Sequence, residues 1–159
     1  MTDKAQALAA RIERFLRERV IPMERDPRTA GDHGPSDALI QELRGLARAE
    51  GLLAPHVGEA WGGHGLSHAE QAIVFRAAGY STLGAIALNC SAPDEGNMHL
   101  LEKVATPEQK ERYLRPLAAG TIRSAFFMTE PAGDGGAGSD PSMLRTEARM
   151  DGNHWVING

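Results

Sequence analysis

The sequence predicts an α+β protein: an N-terminal all-α helical domain followed by the start of an antiparallel β-domain. Three observations predict it. Apolar residues recur at helical spacing from Leu8 to Leu117. Capping residues punctuate that stretch at Ser36, Ser67 and Thr106. Beyond Gly120 the period becomes alternation, as in Leu144, Thr146, Ala148 and Met150. The expected domains are residues 1–121 and 122–159.

Each element has a local reason. Leu8, Ile12, Phe15, Leu16 and Val20 form the apolar stripe of a first helix, with Thr2 or Asp3 as its cap and Pro22 beyond its end. Residues 24–35, with Asp26-Pro27 and Gly31 to Pro35, read as a loop. Ser36 caps a second helix with Leu39, Leu43, Leu46 and Ala47 on its face, and Gly51 stops it. Pro55 to Gly65 is a loop, after which Ser67-His68-Ala69-Glu70 is a capping box. The helix that follows runs through Ile73, Val74 and Ala77 to Gly79. Residues 82–89 are small and apolar all round, as in a buried helix. Pro93 interrupts the pattern, which resumes through Met98, Leu100, Leu101 and Val104. Thr106-Pro107-Glu108-Gln109 is a second capping box, with proline at the first helical position and Gly120 as the later stop.

Ser124–Thr129 then reads as a strand and 131–139 as a Gly-rich loop. A second strand over 143–150, a turn at Asp151-Gly152 and a return through His154–Ile157 make a hairpin. Three strands are near the minimum for an independent sheet, so the sequence looks cut inside a domain.

Composition excludes several classes of function. Lys+Arg number 17 against 21 Asp+Glu, for a net charge of −4, which provides no broad basic face for nucleic acid. At 5% aromatic residues, stacking platforms are scarce too. Cys90 is the single cysteine, which excludes an internal disulfide and a multi-cysteine zinc site, and the chain reads as cytoplasmic. No apolar run approaches the roughly 18 residues of a membrane span. The six histidines include no H-E-x-x-H motif, and a metal site is not expected. Cys90 reads as a buried, inert thiol.

The loop at Thr129–Asp140 is the sharpest chemical feature. Gly133–Gly138 matches G-x-G-x-x-G, but a dinucleotide site needs a helix opening there, over 139–150, and the following pattern is strand-like. No Lys-Ser/Thr follows the glycines, which removes the P-loop reading. The polar string Asn89 to Met98 reads either as a helix break with a cap or as a pocket wall.

Phe127-Met128-Thr129-Glu130-Pro131, with Gly136-Ala137-Gly138-Ser139-Asp140, resembles the T-E-P-G-A-G-S-D signature of the flavin-dependent acyl-CoA dehydrogenases. Trp61-Gly62-Gly63-His64-Gly65-Leu66-Ser67 resembles that family's Y-G-G-x-G-L-S turn. Residues 106–120 resemble its E-E-Q-K-x-x-Y-L-P-x-L-A-x-G segment, and Val156-Ile157-Asn158-Gly159 its V-I-N-G. Asn89 to Met98 resembles the subgroup carrying N-C-S-A-P-D-x-G-N-M.

The resemblance implies FAD as cofactor, held along Phe127, Met128 and Thr129 and contacted by Ser139. It implies acyl-CoA as substrate, met by Ser139 and by Asn89, Ser91 and Asp94 in the acyl pocket. It also implies electron-transfer flavoprotein as partner and a homo-oligomeric parent. The family's catalytic base lies in a C-terminal domain, so no catalytic residue is expected here. Glu130 is expected to hydrogen-bond within its loop. Ala132-Gly133-Asp134-Gly135 are four residues more than the family loop carries. For the 159 residues alone, the expectation is weak or absent FAD binding and no turnover. A non-catalytic helical module that binds a partner or an acyl chain is the alternative.

Overall fold

The computed structural model describes residues 3–32, 34–133 and 136–159. The chain forms two units, Met1–Ser124 and Ala125–Gly159. The first is helical: α1 Asp3–Phe15, α2 Asp37–Ala49, α3 His68–Ala78, α4 Gly84–Ala87, α5 Asp94–Val104, α6 Pro107–Gln109 and α7 Arg115–Ala118. The second contains a hairpin of β1 Glu147–Asp151 and β2 His154–Asn158.

The helix starts follow their local chemistry. Ser36 Oγ accepts the Leu39 N–H at 3.3 Å. The backbone N–H of Ser67 donates to Glu70 Oε2 at 2.9 Å, closing one capping box. In the other, Thr106 N–H donates to Gln109 Oε1 at 2.9 Å and Gln109 N–H returns to Thr106 Oγ1 at 3.3 Å. Each pairing satisfies donors that the helix leaves orphaned. Gly51 and Gly120 carry φ of +65° and +67°, a conformation that suits glycine at a helix end. The expected cap Thr2 lies outside the described residues.

Pro22 does not end the first helix as expected. The chain widens into a π-helical turn at Leu16–Val20 and then tightens into a 3-10 turn at Ile21–Arg25. The same device recurs at Lys110–Leu114, ahead of Arg115-Pro116. In both, the residue just before the proline donates five residues back, to Leu16 or Lys110. A proline cannot donate and its ring crowds the carbonyl four residues earlier. The wide turn moves that carbonyl aside, so the helical path continues through the proline.

The core of the first unit has two parts. Leu8, Ile12, Leu16, Leu39, Leu43, Val74 and Leu88 anchor the larger. Ala54, Val57, Met98, Leu114 and Leu117 form the smaller. Each fully buried Leu or Ile contributes about 1.5–3 kcal/mol relative to exposure.

In the second unit, β1 and β2 pair antiparallel with Ala148 opposite Ile157 and Met150 opposite Trp155. The loop between them is Gly152-Asn153, one residue later than expected, and Gly152 has φ +58°. Positive φ at the first position of a two-residue loop suits hairpin twist. The expected strand over Ser124–Thr129 does not form: it has no ladder partner among the described residues. A strand exists through its neighbour, and composition alone cannot supply one. A hairpin now occupies the region after the glycine loop, so the helix over 139–150 required for a nicotinamide site is not there.

Candidate functional site

In the second unit, the signature loop is closed by its own carboxylate. Glu130 Oε1 accepts from Arg145 N–H at 2.9 Å, Thr146 N–H at 2.6 Å and Thr146 Oγ1 at 2.5 Å. The Thr146 hydroxyl above all, then backbone N–H groups, hold this carboxyl below its usual range. Glu130 therefore works within the loop, as expected.

The glycines then fold the loop tightly. Gly136 N–H donates to Gly133 O at 2.9 Å, and a Cβ on Gly136 would sit 2.0 Å from Pro131 O. Gly138 has φ +59°. Asp140 accepts from Ser142 N–H at 2.9 Å and Ser142 Oγ at 2.6 Å. Asp134 and Gly135, half of the expected insertion, lie outside the described residues.

Phe126, Phe127 and Met128 precede this loop with their side chains uncovered; Phe127 is 94% exposed. Thr129 and Ser139 are exposed as well. An uncovered apolar run beside a loop that requires glycine at 136 and 138 suits a planar ring and its phosphates.

The first unit holds the other expected residues. Asn89 is fully buried at φ +52°, and its Nδ2 donates to Leu117 O at 2.9 Å and Ala118 O at 3.3 Å. Its Oδ1 has no hydrogen-bond partner among the described residues. Ser91 and Asp94 share the wall of a cavity of about 210 Å³ with Ile40, Arg44, Pro93 and Arg123. Asn89 is not part of that wall.

Asp94 is also the centre of a buried polar knot. Its Oδ1 accepts from Ser124 N–H and Ser124 Oγ, both at 2.7 Å. Its Oδ2 lies 3.5 Å from Arg44 Nη2. Arg44 Nη1 donates to Gly120 O at 3.2 Å. Burial pulls the guanidinium below its ordinary value, and Asp94 opposes that shift. Sequence reasoning missed Arg44, yet a signal was present: with Ile40 and Ala47 it follows helical spacing on the buried face of α2.

Cys90 is buried, and loss of hydration pushes its thiol up to about 12. It is unsuited to thiolate chemistry. Among the described residues no group of three His, Cys, Asp or Glu side chains is placed to hold a metal ion. No described helix is long and apolar enough to cross a membrane.

Comparison with known proteins identifies the family. The family model described as "Acyl-CoA dehydrogenase, N-terminal domain" matches residues 2–121. FadE2 of Mycobacterium tuberculosis, named a probable acyl-CoA dehydrogenase, is 39% identical over 100% of this chain and 39% of its own length. A structure from Mycobacterium abscessus named for the acyl-CoA dehydrogenases superposes with a TM-score of 0.81 at 34% identity, over 99% of this chain and 41% of that one. An acyl-CoA dehydrogenase of Bacillus anthracis, solved with FAD, gives 0.68 at 26% identity, over 100% of this chain and 26% of that one. The chain thus spans well under half the length of these relatives. The family model, matching residues 2–121 of the 159, leads to one conclusion: the chain belongs to the acyl-CoA dehydrogenase family.

Proposed function

We propose that the chain is the N-terminal portion of an FAD-dependent dehydrogenase that oxidises an acyl-CoA to the 2,3-enoyl-CoA. The observation that carries this reading is the family match over 2–121 running on into Phe127–Asp140, with its uncovered apolar run and tight glycine loop.

Within that reading the chain's residues bind and position. Phe127 and Met128 cover a face of the flavin ring, and the Thr129 hydroxyl bonds its polar edge. The Ser139 hydroxyl and neighbouring backbone N–H groups meet phosphate oxygens and the acyl-CoA. Glu130 holds the loop in shape and takes no proton from substrate. Ser91 meets the acyl group, while Asn89 and Asp94 set the path of the pocket wall. When bound, the flavin supplies the hydride acceptance of the reaction. The parent's general base is a glutamate beyond these residues. Electron-transfer flavoprotein takes the electrons onward, and the parent is a homo-oligomer in the cytoplasm.

A chimera tests this. Residues 1–159 replace the matching segment of the Mycobacterium abscessus relative. The purified, folded chimera is expected to carry stoichiometric FAD by its visible absorbance. Thr129→Val and Ser139→Ala are each expected to lower its flavin affinity about tenfold, as for one lost hydrogen bond of about 1.4 kcal/mol. A folded chimera without flavin, or flavin affinity indifferent to both changes, contradicts the proposal.

A further inference from the structure

The first unit carries a second cavity, of about 310 Å³, on a different set of residues from the one at Ser91 and Asp94. Its wall includes His56 from the loop after α2, Ser67 and His68 at the start of α3, and His99, Glu102 and Lys103 from α5. His56 is 6% exposed, and neither ring nitrogen has a hydrogen-bond partner among the described residues. Its ring packs against Phe75, with centroids 5.8 Å apart. A buried polar group without a partner costs about 1–3 kcal/mol, so a side chain left in that state invites a ligand.

We propose that this cavity binds a small oxyanion, a carboxylate or a phosphate, through the His56 N–H and the Lys103 ammonium. The volume is that of roughly ten waters, ample for such a ligand. His56 is held neutral, because burial and then His99 push its pKa down to about 4. A neutral imidazole presents one N–H, which an anionic oxygen accepts. The first turn of α3 borders the cavity and adds its positive end. His68 and His99 stand together, with ring centroids 5.3 Å apart. Two carboxylates oppose an anion, and both are engaged. Glu102 Oε1 accepts the Gly58 N–H at 3.1 Å, and Glu70 Oε2 accepts the Ser67 N–H and hydroxyl.

The test is nuclear magnetic resonance of the histidine rings in the 159-residue chain. Inorganic phosphate and acetate are titrated separately at neutral pH, with ionic strength balanced by chloride. At least one of them is expected to shift the His56, His68 and His99 resonances saturably. Lys103 is exposed, so Lys103→Gln retains the fold and is expected to weaken that binding about fivefold or more. Tighter phosphate than acetate assigns a phosphate ligand, and the reverse assigns a carboxylate; either supports the site. Unsaturable drift with both anions overturns the proposal, as does saturation that Lys103→Gln leaves unchanged.

Discussion

Asp94→Ala is expected to destabilise the helical unit by about 3–5 kcal/mol, the usual cost of stripping one partner from a buried ion pair. The side chains of Arg44 and Asp94 are only 3% and 6% exposed. The substitution leaves the guanidinium buried without its counter-charge. It also takes the acceptor from Ser124 N–H and Ser124 Oγ, two charge-assisted bonds of about 1.5–3 kcal/mol each. Against a typical total of about 5–15 kcal/mol, the loss is large. In a chain of this size it lowers Tm by about 6–20 °C. Asp94→Asn retains an oxygen for Ser124 and loses only charge, so its cost is smaller. The pair Arg44→Met with Asp94→Leu removes both charges together and recovers most of the loss. Urea unfolding followed by far-ultraviolet circular dichroism measures all four proteins. If Asp94→Ala lies within about 0.5 kcal/mol of the parent at unchanged m, the knot is not a stabilising feature and the reasoning fails.

Further outcomes follow from other residues. The pKa of His56 falls from 6.5 to about 4 on folding, so the unfolded chain binds the extra proton. The stability from this group is fully present above about pH 6.5 and is lost as pH falls towards 4, by about 3 kcal/mol. His56→Phe should flatten that part of a stability–pH profile, and an unchanged slope would count against the buried neutral ring. A Cβ on Gly63 would lie 2.1 Å from Val57 O and 2.8 Å from Ala54 O, both backbone. Gly63→Ala should therefore cost about 2 kcal/mol or more. By contrast, Gly96 lies in α5 with nothing within 4 Å of its Cβ position. Gly96→Ala should stabilise by about 0.5–1 kcal/mol, and the opposite ranking in thermal melts would refute the steric reading.

Features written within three or four residues were legible in the sequence. Ser36, the Ser67–Glu70 box and the Thr106–Gln109 box each satisfy helix donors locally, so their chemistry does not wait for the fold. Gly51 and Gly120 are read the same way. Features that depend on distant partners were not legible. Arg44 meets Asp94 and Gly120 from different elements, and no spacing rule reports that. Ser124–Thr129 has the aromatic, apolar composition of a strand, yet a ladder needs a second chain segment. Pro22 signalled a helix end, whereas a π-helical turn absorbed it. At the site, the role of Glu130 was read from the resemblance, and its bonds to Arg145 and Thr146 supply the physical reason.

The most direct test of the central claim is anaerobic addition of acyl-CoA thioesters of graded chain length to the flavin-loaded chimera. Loss of the flavin's visible absorbance is expected with at least one thioester, matched by enoyl-CoA formed in equal amount. A flavin-loaded, folded chimera that no acyl-CoA bleaches, beside a parent relative that is bleached, would contradict it.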